Sequence, residues 1–546
     1  MYRLIFILAC YAPLAISNLF YTTTIGPDFN RYKLYLLYFF GEETVFIPEQ
    51  GFAYFLIIAF FCKLQISDYQ ENFSSLINSV GIQDNFNVAY LSDFEYKLNL
   101  GIQYGNYLIF LFGLFGIFQL LKNRGVESKD IYKILTIVIF IPVCFQIRLT
   151  MKPEIFAFAL LPFAILYFEK LIIYKQKIYV IYLAIISALL VTTKASIAGM
   201  VVILFFTLYL KERKKIAVSK VFLFCILSIT FTVVISYENY KINNYSIFER
   251  EELAIYFEQE EYDNRATPEI FYTINFTDLI KNPNKNFHNN SIIGITLLDT
   301  FGDYFNEYWN KDYTFFKENR KEFVQKGNQF NFDLNNKIVT IPINVFNLNK
   351  LRSVFGLLLS VMLYFLIIKS YIKKDKDYQY IIMPFAGILV LIINSLGFPE
   401  NNFNPETGDT FKSYYYSFFL IISIIFILKN YIAKSSLTFP KILLAVLLSF
   451  FIIGFPKANN TNFDYQLYNL NSMTIGCSVN KVVIDQVAID KFDVDCKKNK
   501  EPVKSQVEIK NYPKLNLVFL ILTIFLVIYD TIKKRSKKIS NTFQGI

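Results

Sequence analysis

The run Gly51-Phe52-Ala53-Tyr54-Phe55-Leu56-Ile57-Ile58-Ala59-Phe60-Phe61-Cys62-Lys63 decides how this chain is threaded. It is apolar enough to enter a bilayer, but it is shorter than the ~20 residues that a spanning helix needs. Lys63 interrupts it and Pro48-Glu49-Gln50 precedes it. Read as a juxtamembrane or re-entrant helix, it leaves residues 21–104 as one outer loop. Read as a span, it turns the N-terminus outward and moves that stretch's first half to the cytoplasm.

Outward from this run, apolar stretches of about 16–20 residues recur along the chain, each long enough to cross a hydrocarbon core. They read as spans at 3–20, 105–121, 132–150, 154–172, 179–193, 195–210, 219–236, 353–369, 379–397, 414–429, 439–455 and 514–532. The chain of 546 residues is 54% hydrophobic, diluted by two long polar stretches. The expected fold is therefore an all-α polytopic membrane protein with about 12 transmembrane helices, or 13 if 51–63 spans, and large extracytoplasmic loops. Its organisation reads as an N-terminal membrane module (1–236), a large extracytoplasmic loop (237–350), C-terminal membrane helices (351–456), a second such loop (457–513), and a last helix with a basic tail (514–546). Residues 3–20 lack a small-residue cleavage site and read as an uncleaved first helix.

Orientation follows from the far end. The tail Lys533-Lys534-Arg535-Ser536-Lys537-Lys538 belongs in the cytoplasm, because short cytoplasmic loops carry the excess of Lys and Arg. Counting back, Lys429 and Lys434, residues 370–378, 211–218, the group Lys170, Lys175 and Lys177, and the group Lys122, Arg124, Lys129 and Lys133 all fall inside. Residues 67–104 then come out external. With Arg3 inside, Gly51–Lys63 does not cross; with the N-terminus outside, it does, and Asp28 becomes cytoplasmic. The charge pattern allows both; the shortness of the run, Lys63 within it and Pro48-Glu49-Gln50 before it favour the first. The same clustering explains the net charge of +11 and speaks against nucleic acid as a partner.

Against this pattern, a few cations stand at outer helix ends: Arg148 and Lys152 in Arg148-Leu149-Thr150-Met151-Lys152-Pro153-Glu154, Lys194 in Thr192-Thr193-Lys194-Ala195-Ser196, and Lys412 in Gly408-Asp409-Thr410-Phe411-Lys412-Ser413. Such residues either snorkel to ordinary lipid phosphates or face a shared site for an anionic headgroup, where Arg makes bidentate contacts. Asp28, in Gly26-Pro27-Asp28 after the first span, reads equally well as a helix N-cap and as a carboxylate for general-base chemistry, two roles that do not exclude each other, with Arg31 close by in sequence. In the central loop, Asp299, Asp303 and Trp309, the sole Trp, lie in an aromatic and acidic segment. That segment suits either sugar binding or an interfacial anchor, and its two Asp residues suit a divalent cation.

No cofactor is required by any motif: no P-loop, dinucleotide fingerprint or nucleophile elbow is present, and the sole histidine, His288, has no partners at zinc-ligand spacing. Of six cysteines, Cys10, Cys62, Cys144 and Cys225 lie in apolar runs. Cys477 and Cys496 flank a polar segment in the last external loop and are a candidate disulfide.

Many spans, an acid just after the first, amphipathic stretches at 29–40 and 51–63, and the Lys152-Pro153-Glu154 and Thr193-Lys194 turns resemble the GT-C superfamily of membrane glycosyltransferases over roughly residues 1–210. The resemblance implies transfer of a sugar from a polyprenyl-phosphate donor to a glycan, lipid or protein acceptor on the outer face of a bacterial inner membrane. Asp28 would be the base, and Arg148, Lys152 and Lys194 the cations on the departing phosphate. It implies polyprenyl-linked sugar and membrane lipids as partners and names no protein partner. The paired Asp-Glu beside the acid is missing here. Gly26 to Asp28 and Glu49 to Tyr54 also resemble one group of O-antigen-type polysaccharide polymerases and ligases. A non-catalytic lipid-sugar transporter is a third reading.

Overall fold

Apolar length sorts the helices of this chain before any packing is considered. In a computed structural model, the described residues are 2–16, 36, 39, 51–65, 93–149, 151–243, 272–281, 283, 288, 291–301, 324–326, 329–334, 337–374, 377–397, 413–432, 438–449, 522, 525, 526 and 529. Among the described residues, six segments are long and apolar enough to cross a membrane: Gly101–Asn123, Glu154–Tyr174, Ala195–Lys215, Val218–Tyr237, Lys350–Ile372 and Ser413–Ile432. The protein is a largely helical, multi-pass membrane protein. Four further apolar helices, Phe52–Gln65, Lys177–Val191, Met383–Ile393 and Phe439–Ser449, are shorter. Asp28, Arg31, Asp303, Trp309, Lys412, Cys477 and Cys496 lie outside the described residues.

In chain order the helices are α1 (Tyr2–Ile16), α2 (Phe52–Gln65), α3 (Asp93–Asn123), α4 (Ser128–Ile139), α5 (Pro142–Leu149), α6 (Glu154–Tyr174), α7 (Lys177–Val191), α8 (Ala195–Glu212), α9 (Val218–Asn243), α10 (Phe276–Lys281), α11 (Ile292–Thr300), α12 (Ile343–Ile372), α13 (Tyr378–Ile381), α14 (Met383–Gly397), α15 (Ser417–Ile432) and α16 (Thr438–Ser449). The central loop adds an element that the helical pattern does not anticipate. Strands β1 (Val324–Lys326), β2 (Gln329–Leu334) and β3 (Lys337–Pro342) form an antiparallel meander, with Phe330 opposite Ile341.

Most of α6 and α15 is buried, whereas no residue of Val218–Tyr237 is. That segment packs along one side, with Phe224 5.7 Å from Phe205, and an apolar helix that leaves the rest of its surface bare is built to face lipid. The expected span 132–150 is broken into α4 and α5. Pro142 has no N–H to give and disfavours helical geometry at Ile141, and the helix ends there in tighter bonds, Phe140 N–H to the Ile137 carbonyl (3.1 Å) and Ile141 N–H to Val138 (3.2 Å).

Ring contacts set the directions. Phe110 stacks on Phe158 (5.4 Å) and Phe112 on Phe163 (4.7 Å), and Asn123 Nδ2 donates to Glu169 Oε2 (3.3 Å), so α3 and α6 run parallel. At their far end, Arg124 pairs with both Glu169 and Asp377, and Lys429 Nζ donates to Asp377 Oδ2 at 2.6 Å. The Tyr380 hydroxyl donates to Glu169 Oε1 (3.0 Å), and the guanidinium lies 4.5 Å from the Tyr380 and Phe426 ring centres. Loops that the charge pattern assigns to the cytoplasm thus meet at one end, here called inner.

Helix α1 has Phe6 against Tyr132 (5.6 Å) near that end and accepts a hydrogen bond from Tyr107 at the Cys10 carbonyl (2.9 Å), so it points to the opposite, outer end. Helix α2 begins at that outer end: Gly51 N–H donates to the Thr193 carbonyl (2.8 Å). A Cβ at Gly51 would come within 2.8 Å of Thr193 Cα, and one at Gly101 within 2.6 Å of Cys62 Cα, so these positions need glycine for backbone approach. With Tyr54 on Asn106, Ile58 at Gly105 and Cys62 at Gly101, α2 lies antiparallel to the start of α3. From Asn106 to Arg124 the helical rise is ~27 Å. Helix α2 therefore runs away from the inner end.

A candidate lipid-phosphate site at the outer end

Three turns converge where the charge pattern puts the outside. The first is Lys152-Pro153-Glu154. The ring of Pro153 holds φ at −67°, and its carbonyl accepts from Phe156 N–H at 2.9 Å, so α6 starts here. Glu154 falls in the first turn, where the helix dipole favours a negative charge. The second turn follows α7. Thr192 and Thr193 hydroxyls fold back to the carbonyls of Ala188 (2.8 Å) and Leu189 (2.7 Å), which ends the helix and leaves Lys194 extended as the N-cap of α8. The third is the 3₁₀ turn Ser413–Tyr416, directly before α15.

Their side chains meet. Lys194 Nζ donates to Glu154 Oε1 at 3.1 Å and lies 3.8 Å from the centre of the Tyr415 ring. Lys152 Nζ stands 5.5 Å from the Tyr414 ring centre and 6.0 Å from that of Tyr415. Cations over aromatic faces gain about 0.5–2 kcal/mol each, more where water is excluded. Arg148, at the end of α5, is buried and within electrostatic reach of Tyr107.

The Glu154 side chain is fully covered, whereas that of Lys194 is 18% exposed. Tyr54 lies within electrostatic reach of Glu154, but its phenolic proton goes to Asn106 Oδ1 at 2.9 Å. Glu154 Oε2 makes no hydrogen bond among the described residues. A buried acceptor left in that state costs about 1–3 kcal/mol.

Behind the third turn lies a hydroxyl network. Asp299 Oδ2 accepts from Ser413 N–H (2.8 Å), Thr300 Oγ1 lies 3.1 Å from the Tyr364 hydroxyl, and Tyr364 and Tyr416 hydroxyls are 3.0 Å apart. Asp299, expected at a sugar or a cation, is buried and holds the turn that presents Tyr414 and Tyr415. Among the described residues, no three His, Cys, Asp or Glu side chains gather as a metal-ligand set.

Of the residues singled out from sequence, the structure brings Lys152 and Lys194 together on one aromatic pair, with Asp299 behind it. Arg148 lies one turn of chain away, at the end of the preceding helix. Asp28 and Arg31 lie outside the described residues, but both flanking anchors are at this end. Helix α1 points to it, and the Phe39 ring packs 5.4 Å from Phe52, beside the Gly51–Thr193 bond. Sequence reasoning missed Glu154, Tyr54, Tyr414 and Tyr415 as members of the site. The available signal was Glu154 itself, an acid directly after a basic Lys-Pro turn. Comparison of the chain with protein-family models, with curated proteins and with solved structures finds no match.

Proposed function

We propose that this protein is a GT-C-like membrane glycosyltransferase, threaded about twelve times through a bacterial inner membrane, that moves a sugar from a polyprenyl-phosphate donor to a glycan, lipid or protein acceptor at the outer face. The observation that carries this reading is the meeting of Lys152 and Lys194 at the Tyr415 ring, with Tyr414 beside Lys152, at one end of an apolar helical bundle. Compact ammonium groups and a neighbouring guanidinium suit a lipid phosphate, and tyrosine faces suit the apolar side of a sugar ring.

In this reading a lone pair of the acceptor hydroxyl attacks the anomeric carbon. The bond from that carbon to the phosphate oxygen breaks, and its electron pair leaves on the phosphate. Arg148, Lys152 and Lys194 stabilise the charge that develops there. The acceptor's proton passes to Asp28. Activated sugar on a lipid phosphate supplies the leaving group, so no nucleotide is called for.

The test is native mass spectrometry of the detergent-solubilised protein with a polyprenyl-phosphate hexose. Wild type should retain the lipid. The Lys152→Ala/Lys194→Ala variant should lose affinity at least ~tenfold, which corresponds to ~1.4 kcal/mol. Failure of the wild-type protein to retain it overturns the reading.

A further inference from the structure

We infer that Glu154 recognises a hydroxyl of the sugar headgroup, and that Lys194 uncovers it by turning from Glu154 to the lipid phosphate. The inference rests on the proposed lipid-phosphate site and adds what that site reads besides phosphate.

Three observations lead to it. Glu154 Oε1 is held by Lys194, while Oε2 is buried and has no hydrogen-bond partner among the described residues. Tyr54, a phenol in electrostatic reach, already donates its O–H to Asn106 Oδ1. An ionised carboxylate only accepts, and it accepts best from a hydroxyl or N–H in a dry setting. A sugar hydroxyl supplies that donor.

Access comes through Lys194. It is the partly exposed member of the pair, and its four-carbon stem lets the ammonium turn without backbone movement. A phosphate that draws Lys194 away from Glu154 exposes the carboxylate at the place where the attached sugar must lie, beside Tyr415. Recognition is thereby ordered: phosphate first, hydroxyl second.

Two probes test this in native mass spectrometry: a polyprenyl monophosphate, and the same lipid carrying one hexose. Wild type should hold the glycosylated lipid about tenfold tighter, as one charge-assisted hydrogen bond allows. In Glu154→Gln, the bare phosphate lipid should bind at least as well as in wild type, because Lys194 is no longer held, and the preference for the hexose should fall toward one. Glu154→Asp keeps the charge opposite Lys194 but withdraws the second oxygen. It should fold as wild type does and lose the preference as well. If both lipids bind wild type equally, or if the preference survives both substitutions, Glu154 is only the counter-ion of Lys194 and the inference is overturned. If neither lipid binds wild type, it is the lipid-phosphate site that fails.

Discussion

The two ends of this bundle handle charge in opposite ways. At the inner end, two cations face two carboxylates. Arg124 is shared between Glu169 and Asp377, Lys429 completes Asp377, and Tyr380 donates to Glu169. At the outer end, Lys152 and Lys194 share the Tyr415 ring, with Arg148 in the preceding helix; among the described residues Lys194 also donates to Glu154, and Asp299 accepts from the Ser413 backbone. A balanced network ties α3, α6, α13 and α15 together and offers an incoming anion nothing. A site where cations gather on tyrosine faces is suited to receive one. The difference teaches that basic residues at membrane-helix ends have to be read with their acids, not counted alone.

The largest effect that could break this comparison lies at the inner end. Arg124→Ala leaves Glu169 and Asp377 without their shared partner in a mostly covered setting. Removing one member of a buried ionic group costs about 3–5 kcal/mol. Thermal unfolding of the solubilised protein should show a clear drop in midpoint, while the protein that remains folded retains polyprenyl-phosphate lipid as wild type does. Loss of lipid at unchanged stability would mean that the balanced end is a binding site, and the contrast would collapse.

Next in size is the neutral exchange Glu154→Gln/Lys194→Met at the outer end. Replacing both members of a buried pair with neutral groups of similar volume is often close to neutral for stability, within about 1 kcal/mol. Affinity for the phosphate lipid should nevertheless fall at least ~tenfold, since one of the cations is gone. Stability and binding are then separated at one position. A variant that binds as wild type does would remove Lys194 from the site.

Much of this arrangement was legible in the sequence, and the gaps have physical causes. The recurrence of apolar runs and the sidedness of basic clusters anticipate which loops share an end, because bilayer insertion acts on those very properties. Lys152 and Lys194 stood out as cations on the unexpected side. What stayed hidden depends on contacts distant in sequence. Asp299 reads locally as a sugar or cation ligand, yet its hydrogen-bond donor is 114 residues away in the chain. Tyr414 and Tyr415 were lost among 39 tyrosines. The break before Pro142 was masked by unbroken hydrophobicity, which reports burial in lipid and not backbone continuity.

Smaller in its effect on binding is Asp299→Ala. Without its carboxylate the buried Ser413 N–H loses its acceptor, at about 1–3 kcal/mol, and the turn that carries Tyr414 and Tyr415 loosens. Lipid affinity should weaken a few-fold through the tyrosines, whereas Asp299→Asn, which keeps an acceptor oxygen in place, should restore most of both properties. Equal loss of affinity in the two variants, with stability preserved in Asn, would put the Asp299 charge itself in contact with the ligand.

The smallest effect isolates the aromatic faces. Tyr415→Phe keeps the ring under Lys194 and with it the cation–π contact. Tyr415→Leu keeps apolar volume but removes the π face that lies 3.8 Å from the Lys194 ammonium. The attraction so lost is about 0.5–2 kcal/mol. The ligand-free protein should then be slightly less stable, with the lysine drawn closer to Glu154. If the ring serves only to hold Lys194, bare phosphate lipid and glycosylated lipid weaken together in Tyr415→Leu. If it also stacks on the sugar, the glycosylated lipid weakens more, and the ratio of the two affinities measures that stacking directly. No counterpart of this readout exists at the inner end, where the Tyr380 and Phe426 rings meet a guanidinium already bound to two carboxylates.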